Sequence, residues 1–191
     1  MKKKILAIFA VVLSVCALTL FAACGDDVLT NYEIVKAAYG DVSDAATAVK
    51  EIEVTDGSIV LNSRTETYTR TETGYSLVVA TRSLNEIGEG DGMYTETTSP
   101  AQDVAADEVS FGEFPAEDVL TDAVYNGDAT NMTVSATLSA AYAAELGLDS
   151  GDYSGSISVA MEISDGDFVS MEISYTSSNG NAVTIGFTFT Y

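Results

Sequence analysis

"SGSISVAMEISDGDFVSMEISYTSSNGNAVTIGFTFTY" (residues 154–191) decides the fold. Its apolar residues recur at every second position, the period of an extended strand and not of a helix. Ile157, Val159, Met161 and Ile163 share one face. Val169, Met171, Ile173 and Tyr175 form the next, and Val183, Ile185, Phe187, Phe189 and Tyr191 a third. Asp165-Gly166 and Asn179-Gly180 separate the runs, and both dipeptides suit the positive-φ turns that join antiparallel strands. Ser158, Glu162, Ser170, Glu172, Ser174, Thr184, Thr188 and Thr190 take the opposite faces. This is an antiparallel meander with one apolar and one wet face. The apolar face needs a cover.

The strand period extends towards the N-terminus. "NMTVSATL" (131–138) puts Met132, Val134, Ala136 and Leu138 on one face. "GSIVLNSRTETYTR" (57–70) and "GYSLVVATRSL" (74–84), rich in Thr, Tyr and Val, read as a long hairpin around Glu72-Thr73-Gly74. "EGDG" (89–92) turns into "MYTETTS" (93–99), and Pro100 to Asp107 reads as an acidic loop. Three covers are expected. Thr30 and Glu33 have capping-box spacing, ahead of a stripe of Val28, Tyr32, Val35, Tyr39, Val42, Ala46 and Val49 at helical spacing, with a break at Gly40. Pro115, Glu117 and Asp118 suit the first turn of a short helix over 116–124, which Asn126-Gly127 ends. "SAAYAAELG" (139–147) suits another, over 139–146. The period of two is expected to begin at Glu51.

The first 29 residues belong to no fold. Lys2, Lys3 and Lys4 precede an apolar run from Ile5 to Ala23, the layout of a secretory signal. The run approaches the roughly 20 residues that span a bilayer, so an uncleaved helix is the alternative. Leu20-Phe21-Ala22-Ala23 before Cys24 resembles a bacterial lipobox, in which the cysteine is acylated, for instance with palmitate, and becomes residue one. The expected boundaries are a signal peptide at 1–23, a lipidated cysteine and tether at 24–29, and a single domain at 30–191. Gly25 to Leu29, fully extended, reach at most about 17 Å, so the domain is expected close to the extracytoplasmic face of a bacterial cell membrane.

Composition narrows the chemistry. The chain has no His, no Trp and two Cys, Cys16 and Cys24. Cys16 leaves with the signal, so no internal disulfide is expected. Ser–His–Asp, Cys–His and zinc–His centres are excluded for want of His. Beyond Cys24 there are five basic residues against 29 acidic ones, a net charge of −24. Such a surface repels nucleic acid and anionic headgroups. The acid pairs Asp165/Asp167 and Asp149/Asp152, and the group Glu86, Glu89 and Asp91, fall in turns, where Asp is ordinary turn chemistry. "DSGDYSG" and "SDGDF" do not follow the spacing of a calcium loop. Asn131-Met132-Thr133 is formally a glycosylation sequon. No enzyme activity, metal or cofactor is expected.

The apolar sheet face remains. Val159, Met161, Met171, Ile173, Ile185, Phe187 and Phe189 are core, or they line a deformable acyl-chain cavity, and periodicity does not separate the two.

A lipobox, a short tether, an N-terminal helix, Thr-rich hairpins and a closing meander over 154–191 together resemble the LolA-like and LppX/LprG-like lipoproteins. The resemblance implies an α+β fold: a strongly curved antiparallel sheet, an open half-barrel, covered by an N-terminal helix and short helices over a hydrophobic cavity. It also implies a monomeric, non-catalytic carrier of lipid or lipoprotein acyl chains, anchored to the membrane through Cys24. The rival expectation is a structural or interaction lipoprotein of the cell envelope, with a packed core and an acidic surface for a cationic partner.

Overall fold

The computed structural model describes residues 29–85, 93–145 and 151–191. The signal, Cys24, Val28, the "EGDG" turn, Gly147 and the acids Glu86, Glu89, Asp91 and Asp149 lie outside the described residues. The chain divides into two units, Met1–Thr30 and Asn31–Tyr191. Every described core residue lies in the second unit, so that unit holds a hydrophobic core of its own.

The fold is α+β, a ten-stranded antiparallel sheet with an N-terminal helix. Helix α1 spans Asn31–Gly40 and buries Tyr32, Val35 and Tyr39. A 3-10 turn at Val42–Asp44 follows it. The strands are β1 Thr47–Asp56, β2 Ile59–Arg70, β3 Gly74–Leu84, β4 Tyr94–Thr98, β5 Gln102–Ala105, β6 Leu120–Gly127, β7 Met132–Leu138, β8 Tyr153–Ser164, β9 Asp167–Ser177 and β10 Ala182–Thr190. A short helix α2, Ala140–Glu145, links β7 to β8. The spatial order is β4-β3-β2-β1-β10-β9-β8-β7-β6, with β5 also on β3. Two meanders, β1–β4 and β6–β10, are therefore joined where β1 pairs with β10, from Thr47↔Thr190 to Thr55↔Ala182.

Two turns follow their sequence signals. Asp165 and Gly166 both take positive φ, 56° and 91°, as an Asp-Gly hairpin turn requires. Ser177 accepts a hydrogen bond from Gly180 at the Asn179-Gly180 turn.

Four expectations are corrected. The helical stripe ends at Gly40. Ala46 is exposed and Val49 lies in a strand, because β1 gains ladder partners on both sides, β2 and β10, which outweighs helical spacing. The segment 100–107 contains β5, held to β3 by Gly74↔Ala105 through Leu77↔Gln102. Residues 116–124 form only a 3-10 turn, Glu117–Val119, before entering β6. Thr121, Val124 and Tyr125 suit a strand, and β7 offers a partner from Leu120↔Leu138 to Gly127↔Met132. The fourth correction concerns β9. A bulge between Glu162 and Ile163 sets Ile163 opposite Phe168, and Phe168 instead of Val169 points into the core, fully buried.

The core lies on the face carrying Ile157, Val159, Met161, Ile163, Met171 and Ile173, under α1, which packs on β9. Aromatic rings run through it. Tyr39 meets Phe168 edge-on at 5.1 Å, Phe168 meets Phe189 at 6.1 Å, and Phe189 meets Phe111 at 5.4 Å. Phe111 in turn contacts Tyr68 and Tyr75. Such edge-to-face contacts add about 0.5–1.5 kcal/mol each beyond burial.

Candidate functional site

Irregular segment 109–116 crosses the apolar face between β5 and β6. Three tyrosine hydroxyls fasten it. Tyr32 donates to the Pro115 carbonyl at 3.0 Å. Tyr39 donates to the carbonyls of Phe111 and Gly112, at 2.9 and 3.1 Å. Tyr142 of α2 donates to the Glu113 carbonyl at 3.0 Å. Burial pushes the Tyr39 hydroxyl up to about 12, and Tyr142 adds to the shift. These bonds answer carbonyls that a buried irregular segment would otherwise leave unpaired.

Beside this strap lies a half-open recess of about 260 Å³. Met171, Ile173 and Phe187 line it from the sheet. Ser110, Phe111, Gly112 and Glu113 line it from the strap, with Tyr142 and Lys50 alongside. It is slightly smaller than the roughly 300 Å³ at which drug-sized pockets begin.

The seven apolar residues singled out in the sequence divide. Met171, Ile173 and Phe187 meet at the recess, of which Met171 and Ile173 are also buried core residues, 3 and 1 % exposed. Val159 lies between Ala136 and Ile173 in the ladder, Met161 between Val134 and Met171, and Ile185 between Ile52 and Ile173. With Phe189, locked between Phe111 and Phe168, these four belong to the packed core and its margin. Lys50, Tyr142 and the strap residues are not among the residues that the strand period singles out. A signal for Lys50 existed: with the strand begun at Thr47, Lys50 shares its face with Ala48 and Ile52 and is the charged residue on an apolar side.

Next to Lys50 on the same face stands Glu66 of β2, its ladder partner. Arg64 reaches Oε1 of Glu66 at 2.7 Å, and Tyr68 donates to Oε2 at 2.9 Å. Burial pushes the Glu66 carboxyl up. The two hydrogen bonds, with the charges of Lys50 and Arg64, outweigh it and hold the carboxyl below its ordinary value.

The opposite, polar face carries further concavities, and two of them, of about 420 and 360 Å³, share Ser170 and Glu172. One ladder row crosses both: Glu51, Gly186, Glu172, Ala160 and Ser135. Gly186 contributes no side chain, and a Cβ there would meet nothing within 4 Å. The trough is thus the space left by small residues between glutamates. Among the described residues, no three acidic, His or Cys side chains converge to hold a metal ion. Nor is any helix among them long and apolar enough to cross a membrane.

No known family's sequence profile matches the chain, and no curated protein matches it in sequence.

Proposed function

We propose that this chain is a non-catalytic lipoprotein of the bacterial cell envelope, anchored through an acylated Cys24 on the extracytoplasmic face of the membrane, whose monomeric domain binds a hydrophobic ligand as the half-barrel carriers do. The observation that carries this reading is the convergence of Met171, Ile173 and Phe187 on one half-open recess. Its volume narrows the ligand. At about 260 Å³ the recess is smaller than a drug-sized pocket, which suits a single chain better than a multi-chain lipid. The test is native mass spectrometry of residues 31–191 purified from a lipid-containing extract. A single-chain adduct released by organic solvent is expected. An adduct-free protein that also fails to bind added single-chain amphiphiles would sink the idea. The anchor is tested separately: Cys24→Ala should abolish palmitate labelling and leave the chain at its uncleaved length, since the lipobox cysteine is also the processing point, and labelling that persists in the variant would exclude Cys24 as the anchor.

The rival, an acidic face for a cationic partner, is favoured by the trough over Gly186. Gly186→Leu should fill it without a clash, since Gly186 has ordinary φ and open space above it. Under this reading a basic peptide binds the unsubstituted domain in a salt-sensitive way, and the leucine variant loses it.

A further inference from the structure

The recess has a polar end as well as an apolar floor. Lys50 stands on the inward side of β1, between Ala48 and Ile52 in sequence and between Phe187 and Glu66 across the ladder. A lysine on an apolar face is unusual unless its charge is used. Its ammonium lies over the Phe187 ring, 5.8 Å from its centre, and both side chains line the recess. The three arginines are each engaged with a carboxylate: Arg64 with Glu66, Arg70 with Asp44 and Arg82 with Glu96. Among the described residues no carboxylate comes within ion-pair distance of Lys50. Its natural partner, Glu66, has one oxygen on Arg64 and the other on Tyr68. Lys50 therefore acts on Glu66 only from beyond ion-pair distance, and its ammonium sits at the edge of an apolar recess without a direct carboxylate partner among the described residues.

We propose that the recess selects an amphiphile with an anionic head, a single-chain carboxylate whose head pairs with Lys50 while its chain lies on Met171, Ile173 and Phe187. The inference rests on the reading of the recess as a hydrophobic-ligand site. Glu113, exposed on the strap, disfavours an anion lying along the rim, so the head is confined to the Lys50 end. A carboxylate on an ammonium also forms the stronger, charge-assisted kind of hydrogen bond, which an alcohol does not.

Decanoate, decanol and decylammonium share a chain and differ in head charge. Titration calorimetry on residues 31–191, below the aggregation concentration of each probe, should give decanoate at least tenfold tighter than the other two. Lys50→Met keeps the apolar stem and removes the charge. It should lower decanoate to the level of decanol and leave decanol unchanged, while Lys50→Arg keeps the preference. Thermal melts of the variants verify that the fold is retained. Equal affinity for decanoate and decanol, or a preference for decylammonium, overturns the inference and leaves the hydrophobic-ligand reading standing. No binding of any of the three removes both.

Discussion

Phe168 shows how one residue's position turns on a neighbour's geometry. Alternation alone places Val169 inward, and the bulge opposite Ile163 hands that place to Phe168. Phe168 is fully buried and touches Tyr39, Phe114 and Phe189. Phe168→Ala is expected to cost about 3–5 kcal/mol, the range for emptying a buried aromatic site, whereas Val169→Ser should cost about 1 kcal/mol or less. Denaturant unfolding of the two variants checks the contrast, and equal losses would restore the simple alternation. The tyrosines make a second residue-scale prediction. Burial raises Tyr39 to about 12, burial and the Glu66 hydrogen bond raise Tyr68 to about 12, and burial with the charges of Asp167, Asp41 and Asp44 raises Tyr191 to about 12. Unfolded tyrosine titrates near 10. The folded state therefore holds these protons more tightly, and the stability they contribute is complete below about pH 10 and is lost as pH rises towards 12. Phenolate absorbance should lag behind that of free tyrosine and then rise together with unfolding. Titration of all the tyrosines near 10 in a still folded protein would contradict this.

Elements with a single, strong period were legible, and those set by distant partners were not. β7 to β10 and the β2–β3 hairpin follow from alternation plus turn dipeptides. β6 did not, because Pro115, Glu117 and Asp118 read as a helix start until β7 is known to offer a free edge. β5, four residues long, has too little sequence to show a period at all. The recess was half legible: its floor lies on the strands of clear period, while its strap is irregular chain positioned by hydroxyls of α1 and α2. The β6–β7 turn carries the prediction at this scale. Gly127 has φ 115°, and a Cβ there would run into the carbonyl of Asn131. Gly127→Ala should destabilise by about 1–3 kcal/mol through left-handed strain, while Gly186→Ala, at ordinary φ with open space, should be nearly neutral. Thermal melts of the pair decide it.

At the scale of the whole molecule, charge and topology matter most. Acidic residues outnumber basic ones so heavily that self-repulsion opposes the compact state. Raising sodium chloride from about 10 mM to 0.5 M shortens the screening length from about 30 Å to a few Å, and the melting temperature should rise by several degrees. A melting temperature that falls with salt would show that the few ion pairs, such as Arg64–Glu66, outweigh the repulsion.

The pairing of β1 with β10 sets the order of events as the chain is made. As the chain emerges from the ribosome N-terminus first, β1 to β4 can zip as neighbouring hairpins, and later β6 to β9 can do the same. Each half then waits with a bare edge. Only β10 closes the gap between them, and it is the last strand to arrive. Until Ala182–Thr190 has emerged, the protein is two unfinished ribbons open to chaperones, to proteases and to each other's copies.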